Sequence, residues 1–309
     1  MKKCLHIAIA VLIFLSMASC RNVEASPFSG FVGKPYGEYH YQLRDTIRKI
    51  YASGDAAEIE KAAIQMKNLP DHFHDRQWQL EAKLLEINFQ HDYRHGGDDS
   101  YISALISLKA MAQKKDNKVF SLRITRRLMD YYIGIDDIPN EVKYACMLER
   151  EMEDVTEDEF PDVIDNAYRL ACLFMRFSAN DKARPYLKRV LEHEVIPENQ
   201  SIFLNARNDL GMIKRNIDMA MSDSLFLSLI NDKNNVDCGQ RWRGIGLGNL
   251  GRNAFMKKEY DKAIESLLLS YDIMSGLEDY TFTLKVASTL VQSSCRTGDM
   301  GKAALWAQR

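Results

Sequence analysis

The stretch NLGRNAF at residues 249–255, followed after four residues by YDKAI at 260–264, decides the fold. The glycine of the first stretch and Ala263 of the second are twelve residues apart, and each lets one helix lie close to its partner. Small residues recur in this register at Ala183 and Ala303, so these positions are separated by 80 and 40 residues. A fixed period of about 40 residues predicts stacked helix pairs and argues against a globular enzyme core.

This pattern resembles the tetratricopeptide repeat (TPR). The resemblance is read directly in three pairs and is extended to the others by periodicity. It implies an all-α fold, an α-solenoid of about seven TPR-like antiparallel helix pairs in a right-handed superhelix. The predicted pairs are 38–51 with 56–69, 74–91 with 98–114, 117–132 with 140–153, 161–177 with 181–194, and 200–216 with 221–229, while the sixth and seventh begin near 241 and 279.

Composition agrees with a folded, helical protein. The chain is 46% hydrophobic and 27% charged. It lacks the alternating runs of Val, Ile and Thr that predict β-strands. With a formal net charge of −2, the chain lacks the excess of positive charge that is typical of nucleic-acid-binding regions. We therefore expect no nucleic acid to bind this region. The three arginines Arg123, Arg126 and Arg127 are interpreted as a solvated helix face.

Residues 1–20 have the pattern of a signal peptide. A basic start precedes thirteen mostly apolar residues, which are too few for the ~20 that span a bilayer. The following LSMASC, residues 15–20, resembles a bacterial lipobox and implies that Cys20 is lipidated. Ordinary cleavage at the same small residues is the alternative, and both place the protein outside the cytoplasm. Because Arg21 follows the cysteine, we predict an outer-membrane lipoprotein of the cell envelope, or a protein that faces the periplasm.

Three segments follow from these patterns. Residues 1–20 are the signal, residues 21–37 are a flexible linker rich in glycine and proline, and residues 38–309 are the solenoid. An apolar stretch at 303–307 approaches the last residue, Arg309. This stretch predicts that the solenoid is truncated within a repeat.

Motifs for catalysis or cofactors are weak. GLGNLG at 246–251 matches a dinucleotide fingerprint, but no strand precedes it, so we interpret its glycines as helix-packing positions or as a frayed helix start. His72 and His74, and His91 with His95, are interpreted as histidines at helix ends. We therefore expect no metal, no cofactor and no enzymatic activity.

Four cysteines follow the signal: Cys146, Cys172, Cys238 and Cys295. None has C-x-x-C spacing, so we expect buried free thiols, with a bond between Cys146 and Cys172 left open.

The resemblance also implies a binding groove, lined by fixed positions of the first helix in each pair. The predicted arginine ladder would bind the carboxylates or carbonyls of an extended peptide, and it consists of Arg176, Arg215, Arg252 and Arg296. The alternative is that these arginines only form a solvent-exposed surface. Replacing Arg215 and Arg252 by Glu is expected to abolish partner capture with little change in thermal unfolding. The predicted groove residues are Tyr168, Arg176, Asn205, Asn208, Arg215, Arg252, Phe255, Lys285, Gln292 and Arg296.

Two functions fit these patterns. The first is a lipid-anchored envelope scaffold that binds a protein or peptide without catalysis. The second is the extracytoplasmic sensor region of a membrane-bound regulator, with a histidine kinase or DNA-binding output and a transmembrane helix encoded after Arg309. Reading the gene past that codon separates them. A hydrolase or carbohydrate-binding role in the first three pairs is a third hypothesis, which a clustered carboxylate pair with raised pKa would favour.

Overall fold

A computed structural model describes residues 26–31, 33–69, 76–94, 97–114, 117–155, 162–196, 199–231 and 239–308. Cys20, the rest of the predicted signal, His72, His74, His95, Cys238 and Arg309 lie outside these residues. The described part contains α-helices and one short 3₁₀ turn, Ser29–Phe31, and no strand. The predicted all-α class is confirmed.

Fourteen helices follow one another within the described residues. They are α1 (Tyr36–Ala52), α2 (Ala56–Lys67), α3 (Arg76–Tyr93), α4 (Asp98–Lys114), α5 (Lys118–Gly134), α6 (Ile138–Glu153), α7 (Val163–Arg176), α8 (Asn180–Leu191), α9 (Gln200–Lys214), α10 (Met219–Ile230), α11 (Gly239–Met256), α12 (Tyr260–Gly276), α13 (Tyr280–Arg296) and α14 (Met300–Gln308). They form the seven predicted pairs.

Capping residues explain two of the helix starts that differ from prediction. α10 begins two residues early because the Asp218 carboxylate accepts a hydrogen bond from the Met221 N–H at 3.1 Å. α6 also begins two residues early, because Asp137 accepts from the Asn140 N–H at 3.2 Å. α11 runs unbroken through its glycines, so the suggested fraying at its start is wrong.

The turns repeat one geometry. Ser178, Lys258 and Gly298 occupy equivalent positions and have φ of 58°, 64° and 81°. Each turn closes with the long hydrogen bond of a Schellman motif, such as Glu259 N–H to Ala254 O at 2.9 Å. These three turns keep the 80- and 40-residue spacing of the small residues, as expected for a repeat. Gly54 follows α1 with φ of 67°, and its N–H donates to the Tyr51 carbonyl oxygen at 3.1 Å.

The chain divides into two compact units, residues 1–161 and 162–309, where the sequence predicted one continuous solenoid. In the first unit, consecutive helices from α1 to α6 pack against one another. In the second, α7 to α14 do the same, and the first helices of neighbouring pairs also touch, as in α9 with α11 and α11 with α13. Each unit has its own buried apolar clusters.

The predicted flexible linker at 21–37 needs correction over its described part. Phe28 is fully buried and Phe31 is 7% exposed, and both belong to the core of the first unit. The Phe28 ring lies edge-on to Trp78 at 6.1 Å between centroids. Burying two aromatic rings outweighs the flexible composition around them.

No helix among the described residues combines the length and apolar character needed to cross a membrane. Cys146, Cys172 and Cys295 are free thiols. Cys146 and Cys295 are exposed, so their predicted burial is wrong, and Cys172 is half-buried.

Candidate functional site: a groove between α11 and α13

Glycines bring the helices of this region close together. A Cβ on Gly251 would lie 2.6 Å from Leu267 Cγ, and one on Gly248 would lie 2.8 Å from a Phe282 ring carbon. Real Cβ atoms do not approach so closely, so glycine at these two positions lets α12 and α13 pack against α11 at this distance. The packing interpretation of the GLGNLG motif is therefore supported.

A groove opens between α11 and α13. Its cavity volume is about 440 Å³. We call it the α11–α13 groove, and it is lined by Arg252, Phe255, Met256, Leu284, Lys285, Ser288, Thr289 and Gln292. Arg252, Phe255, Lys285 and Gln292 were predicted as groove residues from the sequence, and the structure brings all four together.

The groove is cationic and partly apolar. Arg252 and Lys285 are exposed, and no carboxylate lines the cavity. Neither cation makes an ion pair to another part of the chain that the structure describes. Beside them, Leu284 is 70% exposed and Met256 is 45% exposed. The cavity therefore offers two unpaired positive charges next to apolar surface.

A chain of polar side chains lies behind the groove. The Asn249 amide donates to Asn208 Oδ1 at 2.9 Å, and Asn253 donates to Ser222 Oγ at 2.9 Å and to Asp223 Oδ1 at 2.7 Å. Asn253 is fully buried. We call this set the asparagine network: Tyr168, Asn208, Asp209, Arg215, Ser222, Asp223, Asn249, Asn253 and Lys257. It joins α7, α9, α10 and α11, and the Ser222 hydroxyl also donates to the backbone carbonyl of Gly211 at 2.8 Å.

Arg215 belongs to this network and not to the cavity lining. Its Nε donates to Asn253 Oδ1 at 2.6 Å, and its Nη2 donates to Asn249 Oδ1 at 2.8 Å. Burial lowers the pKa of Arg215 to about 10, and the nearby Arg252 charge acts in the same direction. A glutamate here would face two amide oxygens in a half-buried position. These contacts argue against the expectation that replacing Arg215 and Arg252 by Glu leaves thermal unfolding nearly unchanged, and we now expect Arg215→Glu to destabilise the protein.

Tyr168 and Asn208 also bond within the chain. The Tyr168 hydroxyl donates to Asp209 Oδ2 at 2.9 Å, and Asn208 donates to Asp209 Oδ1 at 3.1 Å. Burial raises the pKa of Asp209, although both hydrogen bonds oppose the rise. Burial also raises the pKa of the Tyr168 phenol and of the Cys172 thiol. Of these two predicted ligand contacts, Tyr168 is thus occupied in joining α7 to α9, and Asn208 in bonds to Asp209 and to Asn249 of α11.

The remaining predicted groove residues lie elsewhere. The Arg176 guanidinium lies 5.8 Å from the Phe177 ring centroid, and Asn205 donates to the Ser201 carbonyl at 2.7 Å. Arg296 is exposed and does not line the cavity. Of the arginine ladder, only Arg252 lines the α11–α13 groove.

A solved structure supports the architecture. The chain is similar to the crystal structure of the apo form of RapI, a TPR-like helical-repeat protein, with a TM-score of 0.61 over 86% of this chain and 74% of that one. This chain is a TPR-like helical-repeat solenoid. At 14% sequence identity, the likeness shows the fold alone. No protein-family model matches the chain, and no curated protein matches its sequence.

Sequence reasoning missed four important residues of this TPR-like solenoid. Leu284 and Thr289 line the groove, and Asn249 and Asn253 are central to the asparagine network. The two asparagines are four residues apart and share one helix face, which is a signal the sequence does contain. Their partners lie 30 or more residues away, so the bonds themselves could not be predicted.

No group of three or more metal-ligating side chains occurs in the described ranges. His91 is half-buried: its Nδ1 lies 2.8 Å from Asp92 and its Nε2 lies 3.3 Å from Asp98. Its ring stacks on Tyr101 at 4.0 Å. His91 is therefore held by two carboxylates and an aromatic ring, and not by the end of the helix alone.

The three clustered arginines are not a solvated face. Arg123 pairs with Glu81, Arg126 pairs with Asp130 at 2.7 Å, and the Arg127 Nε donates to the Tyr101 hydroxyl at 2.8 Å. The prediction failed for Arg123 and Arg127 because their partners on α3 and α4 lie far away in sequence, whereas Arg126 pairs with Asp130 four residues along its own helix.

Proposed function

We propose that this chain is a non-enzymatic scaffold that binds a protein or peptide segment in the α11–α13 groove. One observation carries the proposal: two cations, Arg252 and Lys285, have no ion-pair partner among the described residues and lie beside exposed apolar side chains. The TPR-like fold supports it, because solenoids of helix pairs present extended concave surfaces.

The groove's charge and surface favour one class of ligand. With no carboxylate in its lining, the cavity lacks countercharge for Arg252 and Lys285, and a ligand carboxylate would supply it. Leu284 and Met256 would lose exposed apolar area against an aliphatic ligand side chain. We therefore propose an extended acidic segment in which a carboxylate lies next to an apolar residue.

Charge reversal in the groove tests this proposal. The probe is a fluorescein-labelled Glu-Leu-Glu-Leu-Glu peptide, with Lys-Leu-Lys-Leu-Lys as its charge-reversed counterpart, and binding is measured by fluorescence anisotropy. The double variant Arg252→Glu/Lys285→Glu should bind the acidic peptide at least about tenfold more weakly, because attraction becomes repulsion. Its thermal unfolding should match the parent, since both side chains are exposed.

Arg243→Glu is the matched control. Arg243 is exposed on the same helix, nine residues before Arg252, which places it about 180° around the helix. This variant should bind the acidic peptide as the parent does. Equal loss in the control and in the groove variant would show that net charge matters and that the groove does not.

We further propose that the protein is an envelope lipoprotein anchored through Cys20, attached to the outer membrane or facing the periplasm. The signal-like residues 1–20 and their lipobox support this location in the cell. In bacteria fed an alkyne fatty acid, the parent protein should become labelled, and Cys20→Ser should not. The control Cys146→Ser should be labelled like the parent, and a labelled Cys20→Ser would exclude this anchor.

A further inference from the structure

A cavity in the first unit lies where α4 ends, α5 begins and α6 ends. Its volume is about 200 Å³, and it is lined by Gln113, Asn117, Lys118, Ser121, Glu151 and Asp154. This volume is several times the ~30 Å³ that one water takes up in the liquid, so a small organic molecule can enter. We call it the α4–α6 cavity.

Two opposite charges in this cavity lack partners. Lys118 and Asp154 are exposed, and neither side chain makes an ion pair or a hydrogen bond with any residue that the structure describes. The third charged residue of the lining, Glu151, is already neutralised. Its Oε1 accepts from Lys109 Nζ at 2.6 Å, and its Oε2 accepts from the Thr125 hydroxyl at 2.7 Å. The cavity therefore offers one cation and one anion that no described residue neutralises.

Both of these charges stand at helix ends that disfavour them. Lys118 is the first residue of α5, where the helix dipole is positive, and the first turn holds no acidic residue. Asp154 is the C-cap of α6, where the dipole is negative. Neither charge therefore stabilises its own helix. A ligand with an anion beside α5 and a cation beside α6 would be attracted to both charges and to both dipoles.

Ser121 adds an unused hydrogen-bond donor to the start of α5. It lines the cavity and is only 5% exposed. Its hydroxyl has no hydrogen-bond partner among the described residues, and its backbone carbonyl accepts from the Thr125 hydroxyl at 3.1 Å. An oxygen atom of a ligand in the cavity would satisfy this donor.

The walls of the cavity are held in place by neighbouring helices. The Asn117 side chain accepts from the Phe120 N–H at 3.0 Å and donates to Gln77 Oε1 at 2.8 Å, which ties the start of α5 to α3. The ion pair of Lys109 with Glu151 joins α4 to α6. The charges around the cavity are thus mounted on a framework that does not need the ligand in order to form.

We propose that the α4–α6 cavity binds a small polar amino acid in its zwitterionic form. The ligand carboxylate lies at the start of α5, where it accepts hydrogen bonds from Lys118 and from the Ser121 hydroxyl. The ligand ammonium group lies at the end of α6, next to Asp154. Every side chain of the lining is polar, which favours a short polar ligand side chain over an aliphatic or aromatic one. This site lies outside the α11–α13 groove and does not depend on peptide binding there.

L-Serine is the probe, and its binding to the full chain is measured by isothermal titration calorimetry. Acetate and ethanolamine each carry one of its two charges, so each should bind at least about tenfold more weakly, since hydrogen bonds between charged groups are lost. Lys118→Gln and Asp154→Asn should each weaken L-serine binding at least about tenfold for the same reason. Without ligand, neither variant should melt below the parent, because each removes a charge that its helix dipole disfavours.

Lys114→Gln and Glu153→Gln are the matched controls. Both residues are exposed in the last turns of α4 and α6, and neither lines the cavity. Both variants should bind L-serine as the parent does. The groove variant Arg252→Glu/Lys285→Glu should also bind it normally, which keeps failure of this proposal distinct from failure of the peptide proposal.

Three results would overturn the proposal. The first is that L-serine does not bind, and the second is that acetate or ethanolamine binds as tightly as L-serine. The third is that Lys118→Gln or Asp154→Asn binds L-serine as the parent does, or loses no more affinity than the two controls lose.

Discussion

Gly251 controls how closely α11 and α12 approach. A methyl group at this position would lie 2.6 Å from Leu267 Cγ and 3.1 Å from the Ala263 carbonyl oxygen. Because the backbone atom cannot move aside cheaply, Gly251→Ala should destabilise the protein by about 1–3 kcal/mol. Urea unfolding followed by circular dichroism measures this change.

Gly276→Ala is the contrasting variant. Gly276 is the last residue of α12, and an added Cβ would meet no atom within 4 Å. Alanine there should be neutral or stabilise by up to about 0.5–1 kcal/mol, since it restricts the unfolded chain. Similar destabilisation by both variants would show that helix contact is not what Gly251 provides.

Asp209 should make the free energy of unfolding depend on pH. The direction of this dependence is opposite to the one that a salt-bridged carboxylate causes. Because burial raises its pKa, the native state binds the proton more tightly than the unfolded chain does. Its contribution to stability is therefore lost as pH rises from the unfolded pKa to the raised native pKa.

Asp209→Asn tests this dependence, because it keeps the shape and removes the charge. The melting temperature of the variant relative to the parent should be highest near neutral pH and should fall as pH drops to about 3, where both side chains are neutral. A difference that stays constant across this range would mean that the charge of Asp209 carries no cost.

At the scale of elements, three-residue turns set the spacing of the helices. Asp136, Ser178, Lys258 and Glu278 have φ between 56° and 64°, a left-handed conformation that favours glycine. The fold places ordinary residues in it because each turn completes a Schellman motif.

Glu278→Gly should therefore stabilise the turn between α12 and α13. Glycine removes the strain of the Cβ at φ of 56°, and the gain should be about 0.5 kcal/mol after the entropy of the freer unfolded chain is subtracted. Gly298→Ala makes the reverse change at φ of 81° and should cost about 1 kcal/mol. Chemical unfolding midpoints compare the two, and a loss of stability in Glu278→Gly would contradict the strain argument.

At the scale of the whole molecule, each unit holds its own core. The second unit contains the entire α11–α13 groove and the entire asparagine network. A fragment of residues 162–309 should therefore be helical, unfold cooperatively and bind the acidic peptide within about a factor of two of the full chain. Calorimetry and anisotropy test this, and a fragment that folds but does not bind would show that the groove needs the first unit.

Much of this architecture could be read from the sequence. Helix starts fell within about two residues of prediction, which is the usual spread of helix-boundary definitions. Arg252, Phe255, Lys285 and Gln292 were also placed together correctly, because equivalent positions of a repeat face the same way. The same argument from repeat position predicted Arg176, Asn205 and Arg296 as groove residues. They do not line the α11–α13 groove, because the placement of each side chain also depends on its own neighbours.

The sequence by itself determined the helices, their pairing and the period of about 40 residues, because helix caps, small residues and apolar spacing act over a few positions. Only the tertiary structure decided which polar groups meet. It turned Arg215 toward Asn249 and Asn253, paired Arg123 with Glu81, buried Phe28 beside Trp78, and left Tyr51 without an acceptor. These outcomes depend on contacts between residues some 30 to 50 positions apart, and local sequence patterns carry no information about them.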